Sequence, residues 1–177
     1  LNDLTLKYDG NVVLQNVNFS VNEGDFICVV GENGTGKSTL IKSLVGLKSI
    51  DSGEVVYENI NRSDISYIAQ QNNIKRNFPA TVLEVVMQGL EGRKNLTPFY
   101  KKEEKALALN ALKKLGIEAV ANKLINELSG GQQRRVLLAR ALISPKKLLI
   151  MDEPVASLDT AAAKEIYTIT KNLCENE

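Results

Sequence analysis

The chain has 177 residues, 22 Lys and Arg against 21 Asp and Glu, two cysteines, no tryptophan and no histidine. That length suits one domain with a real core. A net charge of +1 gives no bulk attraction for nucleic acid or an acidic membrane, and a chain without imidazole offers no histidine base and no His-ligated metal site.

Leu4, Thr5 and Leu6, then Val12, Val13 and Leu14, then residues 17–21 read as short half-buried antiparallel strands. Asn22, Glu23, Gly24 and Asp25 form a turn. Residues 26–30 (Phe-Ile-Cys-Val-Val) are continuously apolar, the pattern of a strand buried on both faces, with Cys28 inside. With only two cysteines, Cys28 and Cys174, the expectation is two reduced thiols in a reducing compartment. A glycine-rich loop follows, and Leu40, Ile41, Leu44, Val45 and Leu47 recur at helical spacing. Asp51, Ser52 and Gly53 turn into a strand over 54–57, and residues 65–69 (Ile-Ser-Tyr-Ile-Ala) form another.

From about residue 72 the pattern becomes helical. Thr81 and Glu84 make a capping box just after Pro79. Glu103 and Glu104 open a helix that Lys113 and Lys114 close, with Ala108, Ala111, Leu112 and Leu115 on its apolar face and Gly116 as the stop. A third helix runs from about Gly131 to Ile143, ended by Pro145. A buried strand over 147–151 carries Asp152 and Glu153 at its tip, and a last helix starts near Thr160 with Ala162, Ile166, Ile169 and Leu173 inward. No apolar stretch approaches the roughly 18 residues of a membrane span, and the first residues lack the layout of a signal peptide. The fold expected is α/β: the strand over 26–30, the G-x-x-x-x-G-K-[ST] loop over 31–38 and the helix after it point to a P-loop NTPase core, with an antiparallel β subdomain at the N-terminus and an inserted all-helical subdomain.

Three motifs carry chemistry. Gly31, Glu32, Asn33, Gly34, Thr35, Gly36, Lys37 and Ser38 satisfy G-x-x-x-x-G-K-[ST] at every fixed position, between a predicted strand and a predicted helix. Such a loop turns backbone amides toward an anion at a helix N-terminus. Lys37 is expected on the β- and γ-phosphates, the Ser38 hydroxyl on Mg²⁺ and Thr39 near the α-phosphate. Asp152 suits the shell of that ion, and Glu153 suits accepting a proton from attacking water; the plain alternative is a solvated acidic turn. Leu128, Ser129, Gly130, Gly131 and Gln132 form a second glycine motif in which Ser129 caps a helix. It reads either as a simple capped turn or as a second anion-binding terminus, and it lies ninety-five residues beyond Lys37.

With these motifs in this order, the whole chain resembles the nucleotide-binding subunit of ATP-binding cassette (ABC) transporters. The resemblance makes residues 31–38 the Walker A loop, residues 148–153 Walker B, residues 128–132 the signature motif, Gln70 the Q-loop glutamine, Ser157, Leu158 and Asp159 the D-loop, and Tyr8 the aromatic that stacks on adenine. Residues 1–71 and 144–177 would form the nucleotide-binding core and 72–143 the helical subdomain of one cassette. It implies ATP and Mg²⁺ as cofactors, with Ser38, Gln70 and Asp152 around the metal and Glu153, Lys37 and Gln70 in hydrolysis. It implies a head-to-tail homodimer in which Ser129, Gly130, Gly131 and Gln132 of one copy close over the Walker A loop of the other. It also implies a transmembrane permease partner, an extracytoplasmic solute-binding protein acting indirectly, a place on the cytoplasmic face of the membrane, and no nucleic acid.

The wording of residues 77–89 is similar to the ATPases of zinc and manganese importers, and Phe78 with its neighbours would belong to a docking groove for a permease helix. In the family a further strand ends in a switch histidine after the last helix seen here; the sequence expectation is a C-terminally truncated cassette, with a hydrolysis-impaired ATP-binding fragment as the alternative. A soluble ABC-type ATPase not coupled to transport is the other reading, but no coiled-coil insertion or second cassette points to it.

Overall fold

The computed structural model describes residues 1–70, 79–93, 100–144, 146–155 and 160–176. These fall into two compact units, one of Leu1–Ile65 with Thr170–Glu177 and one of Ser66–Ile169.

In the first unit, strand β1 (Asn2–Tyr8) pairs antiparallel with β2 (Asn11–Val17). The two-residue connection is Asp9 and Gly10, both at positive φ (48° and 81°), as a hairpin turn matched to strand twist requires. β3 (Ser52–Glu54) lies on the other side of β1, giving the order β2-β1-β3. Gly53 makes that approach possible: a Cβ there would fall 2.4 Å from the Asp3 carbonyl oxygen. Leu4 and Leu6, two apart and therefore on one face, are fully buried and pack with Leu40 of helix α1 (Lys37–Leu44). This contact seats α1, and so fixes where the glycine loop before it ends. Gly46, in left-handed conformation, stops the helix, and the Tyr57 hydroxyl donates to the Leu44 carbonyl.

The first unit departs from the sequence pattern in four places. Residues 18–21 are not strand: Asn18 bonds Asp3 through its side chain in both directions (2.8 and 2.9 Å), and an amide satisfied this way competes with the ladder. The strand expected over 54–57 ends at Glu54. Leu47 lies beyond the helix end and is exposed. Most significantly, residues 26–30 are not a buried strand: no described strand pairs with them, Val30 is 83 % exposed, and Cys28 is exposed rather than buried. An apolar run becomes a strand only when a ladder partner satisfies its amides, and none of the described strands does so.

The second unit contains the larger core. Helices α2 (Val82–Met87), α3 (Lys102–Lys114) and α4 (Gly130–Leu142) converge on Val82, Val86, Ala108, Leu112, Val136 and Leu138, with Ile125 among them. Thr81 caps α2 in a reciprocal box with Glu84, as the sequence pattern requires. Glu103, Glu104, Lys113 and Lys114 occupy the ends of α3, and Gly116 takes left-handed φ just past it. Gly89 permits a close crossing with the end of α4, since a Cβ would lie 2.2 Å from the Arg140 carbonyl oxygen. Strands β4 (Ile65–Ile68) and β5 (Leu148–Met151) pair with each other, and the Asp152 amide donates to the Ile68 carbonyl at 2.9 Å. Helix α5 (Thr160–Asn176) turns Ile166 inward. No helix among the described residues is long and apolar enough to cross a membrane. Pro145 and Phe78 lie outside the described residues.

Candidate functional site

The phosphate loop is assembled on α1. Gly34 and Gly36 both take positive φ (84° and 93°), and Gly36 serves as the N-cap with no side chain closing the terminus. A Cβ at Gly36 would sit 3.1 Å from Leu14 and 3.3 Å from the Val13 carbonyl oxygen, so glycine is needed there for both torsion and space. The Thr35 hydroxyl donates to the Glu32 carbonyl (2.9 Å), and the Lys37 ammonium donates to the carbonyls of Gly31 (2.8 Å) and Glu32 (2.6 Å). The lysine is thus folded back inside its own loop, beside a cavity of about 330 Å³ lined by Gly31, Thr35 and Lys37 with Leu14, Val29, Val30 and Leu40. An uncapped helix terminus and a lysine pinned in the same loop form a cationic pocket suited to phosphate oxygens. Asn33 is exposed, while Ser38 and Thr39 are half-buried in the first turn of α1. Tyr8 stands at the end of β1, 59 % exposed, as a stacking aromatic would need to be.

In the second unit, pairing of β4 with β5 brings the acidic tip beside the glutamine predicted from the sequence. Asp152 is 2 % exposed. Glu153 has φ of 48°, a left-handed conformation that costs a β-carbon residue of order 1 kcal/mol or more and that marks constrained functional turns. The Gln70 amide nitrogen donates to the Glu153 carboxylate across 83 residues of sequence, a contact that orients the carboxylate with one oxygen still available. Sequence reasoning missed Tyr67. Its phenol is pushed above the ordinary value by burial first, then by the Asp152 charge and a hydrogen bond to that carboxylate. One residue before the end of β4 (Ile-Ser-Tyr-Ile), it offered no motif; the sole signal was a polar-tipped aromatic three residues before Gln70.

Ser38, Gln70 and Asp152 supply a hydroxyl, an amide oxygen and a carboxylate. All are hard oxygen donors of the kind Mg²⁺ takes beside phosphate. No group of three or more His, Cys, Asp or Glu able to hold a metal occurs among the described residues.

The signature segment is closed on itself. Ser129 Oγ accepts from the Gln132 amide (3.3 Å) and Gln132 Oε1 accepts from the Ser129 amide (3.1 Å). Ser129 and Gly130 are exposed, and a Cβ on Gly130 would meet nothing within 4 Å, so this terminus has an open approach. Gly131 and Gln132 follow in the first turn. Asp159 and the rest of its loop lie outside the described residues.

Comparison with known proteins identifies the family. Residues 14–156 match the ABC transporter family. The chain is 39 % identical over 180 residues to the manganese transport system ATP-binding protein MntB of Bacillus subtilis, covering 99 % of this chain and 72 % of that one. It is 40 % identical over 177 residues to the zinc transport system ATP-binding protein TroB of Treponema pallidum, covering 98 % of this chain and 66 % of the relative. A solved metal-chelate type ABC transporter in an inward-facing conformation superposes with TM-score 0.84 at 31 % identity, over 99 % of this chain and 67 % of that chain. The chain therefore spans about two thirds to three quarters of the length of these proteins.

Proposed function

The chain belongs to the ABC transporter family, and from that premise we propose that it is the ATP-hydrolysing subunit that powers import of a metal ion. The observation that carries hydrolysis is the Gln70–Glu153 hydrogen bond at the tips of paired strands, beside buried Asp152. It gives the chain an oriented carboxylate of the kind that accepts a proton from a water nucleophile. The phosphate loop contributes the binding half: Lys37 exchanges its bonds to Gly31 and Glu32 for β- and γ-phosphate oxygens, and the amides at the start of α1 face the same charge. Mg²⁺, when bound, neutralises phosphate charge; Ser38, Gln70 and Asp152 are the residues that would hold it. Tyr8 supplies an exposed ring for adenine.

Two glycine-rich termini in one chain, one open and one self-capped, support a head-to-tail pair in which Ser129, Gly130 and Gly131 of one copy close over ATP held by the other. Asp159 would belong to the same interface. Residues 1–71 and 144–177 then act as the nucleotide core and 72–143 as the segment that meets a transmembrane permease at the cytoplasmic face, with a solute-binding protein delivering the metal from outside. The metal reading rests on likeness to manganese and zinc systems and to a metal-chelate transporter.

The test is reconstitution with the permease in vesicles. ATP hydrolysis and uptake of manganese or zinc should both require this subunit, and Glu153→Gln should lower turnover by at least about 100-fold while ATP still binds, a loss of the size expected for a general base. Turnover unchanged by Glu153→Gln would overturn the catalytic assignment. Hydrolysis without uptake of any divalent metal would overturn the substrate.

A further inference from the structure

The helical core of the second unit is held mainly by apolar contacts among Ala108, Ala111, Leu112, Val136 and Leu138. Such contacts are non-directional and tolerate sliding of one helix along another. One side chain is different. Arg135, on α4, is six residues beyond the Ser129 cap, under two helical turns. Its Nη1 donates to the Leu115 carbonyl at the end of α3 (3.2 Å), and its Nη2 pairs with the Glu165 carboxylate on α5. The arginine side chain is 20 % exposed and the glutamate 50 %. Gly116, in left-handed conformation next to Leu115, lies against the guanidinium, where a Cβ would make an ordinary contact at 3.6 Å from Nη1.

We propose that Arg135 is a positioning residue that ties the signature terminus of α4 to α5, the helix that follows the Asp152–Glu153 tip in the chain. The guanidinium is planar, and its two donors point in fixed directions. It can hold Leu115 and Glu165 together only in one register of α4 against α3 and α5. A displacement of α5 therefore drags α4, and Ser129 with it, where apolar packing alone would let the helices slip. A half-exposed ion pair contributes little to stability, so the role is geometric. The inference deepens the proposed function, since it concerns how the acidic tip and the signature terminus act together.

The experiment compares Arg135→Gln, Glu165→Gln, the double variant and Arg135→Lys in a Glu153→Gln background. Three quantities are measured: nucleotide affinity of the monomer, melting temperature, and ATP-driven dimerisation. Each single glutamine variant should weaken dimerisation roughly twofold to fivefold, the scale of a partly exposed ion pair, with nucleotide affinity and melting temperature near the parent's. The double variant should be no worse than the worse single, because both break one link. Arg135→Lys should recover part of the loss, keeping the charge and losing the fork. Dimerisation at the parent's level in the singles, additive defects in the double, or losses that merely track melting temperature would overturn the proposal. A parent that stays monomeric with ATP bound would overturn the dimer reading instead. Amide exchange over residues 129–133 then decides the link: protection on ATP binding that depends on Arg135 upholds it, and its absence overturns it.

Discussion

The chain begins two of its helices with glycine-rich motifs, and the two termini are built in opposite ways. At α1 the N-cap is Gly36, which has no side chain to close the turn, and the nearest cation, Lys37, is bound by its own loop's carbonyls. At α4 the N-cap is Ser129, and Ser129 and Gln132 satisfy each other's amides. The first terminus holds its donors ready for an anion. The second is complete without one, and it engages a ligand only by giving up or sharing the cap bond. Glycine serves α1 through torsion, at φ 84° and 93° for Gly34 and Gly36. It serves α4 through openness, with nothing near Gly130 for a Cβ to strike. The same residue type thus shapes a loop turn in one place and leaves an open approach in the other.

The largest effect expected from this contrast is at Lys37. Lys37→Ala should weaken ATP binding about 30- to 100-fold, the loss of charge-assisted hydrogen bonds to phosphate at about 2–3 kcal/mol. Calorimetric titration of the monomer measures it, and wild-type affinity would show that α1 is not the phosphate site. At α4, Ser129→Ala should lower folding stability by about 1 kcal/mol, the ordinary cost of losing an N-cap. Monomer ATP affinity should stay unchanged, since the cap belongs to the closed terminus. A urea series and the same titration separate the two quantities, and a loss of monomer affinity would erase the distinction between the termini.

The smallest effect distinguishes α4 from α2, which is closed by an ionisable box. Glu84 is held below its ordinary value of 4.5 by its hydrogen bonds to the Thr81 amide and then to the Thr81 hydroxyl. A depressed carboxylate contributes stability above its unfolded value, and that contribution is lost as pH falls through the lower folded value. Glu84→Gln should therefore remove part of the acid sensitivity between about pH 5, above the unfolded value, and about pH 3, below it. Gln132→Glu, which converts the neutral α4 box to an ionisable one, should add a similar dependence. Urea midpoints at the two pH values measure both, and identical acid slopes for wild type and Glu84→Gln would show that the α2 cap does not ionise usefully.

Much of this was readable from local pattern. The capping boxes at Thr81 and Ser129, the α3 termini, the stop at Gly116 and the inward positions Ala108, Ala111 and Leu112 all follow from neighbours within four residues, the range over which helices satisfy their own backbone. The phosphate-loop glycines were legible for the same reason, because torsion is a local property. Residues 26–30 were not: five apolar residues give the composition of a buried strand, but burial and pairing depend on strands elsewhere in the chain. Cys28 was misplaced with them. At the acidic tip the sequence marked Gln70, Asp152 and Glu153 separately, and nothing local said that Gln70 would donate to Glu153 or that Tyr67 would reach Asp152.

By itself, then, the sequence determined the caps that begin α2 and α4, the ends of α3, the turns of the glycine loop and the identity of the chemical groups, because each rests on torsion, capping or spacing within a turn or two. Only the tertiary structure decided which of those groups meet. Strand pairing placed Gln70 against Glu153, and tertiary packing placed Arg135 between the Leu115 carbonyl and Glu165. The physical reason is range: backbone geometry and caps are satisfied by near neighbours, whereas a carboxylate or a guanidinium 30 to 83 residues from its partner finds it only when packing of the whole unit brings the two together.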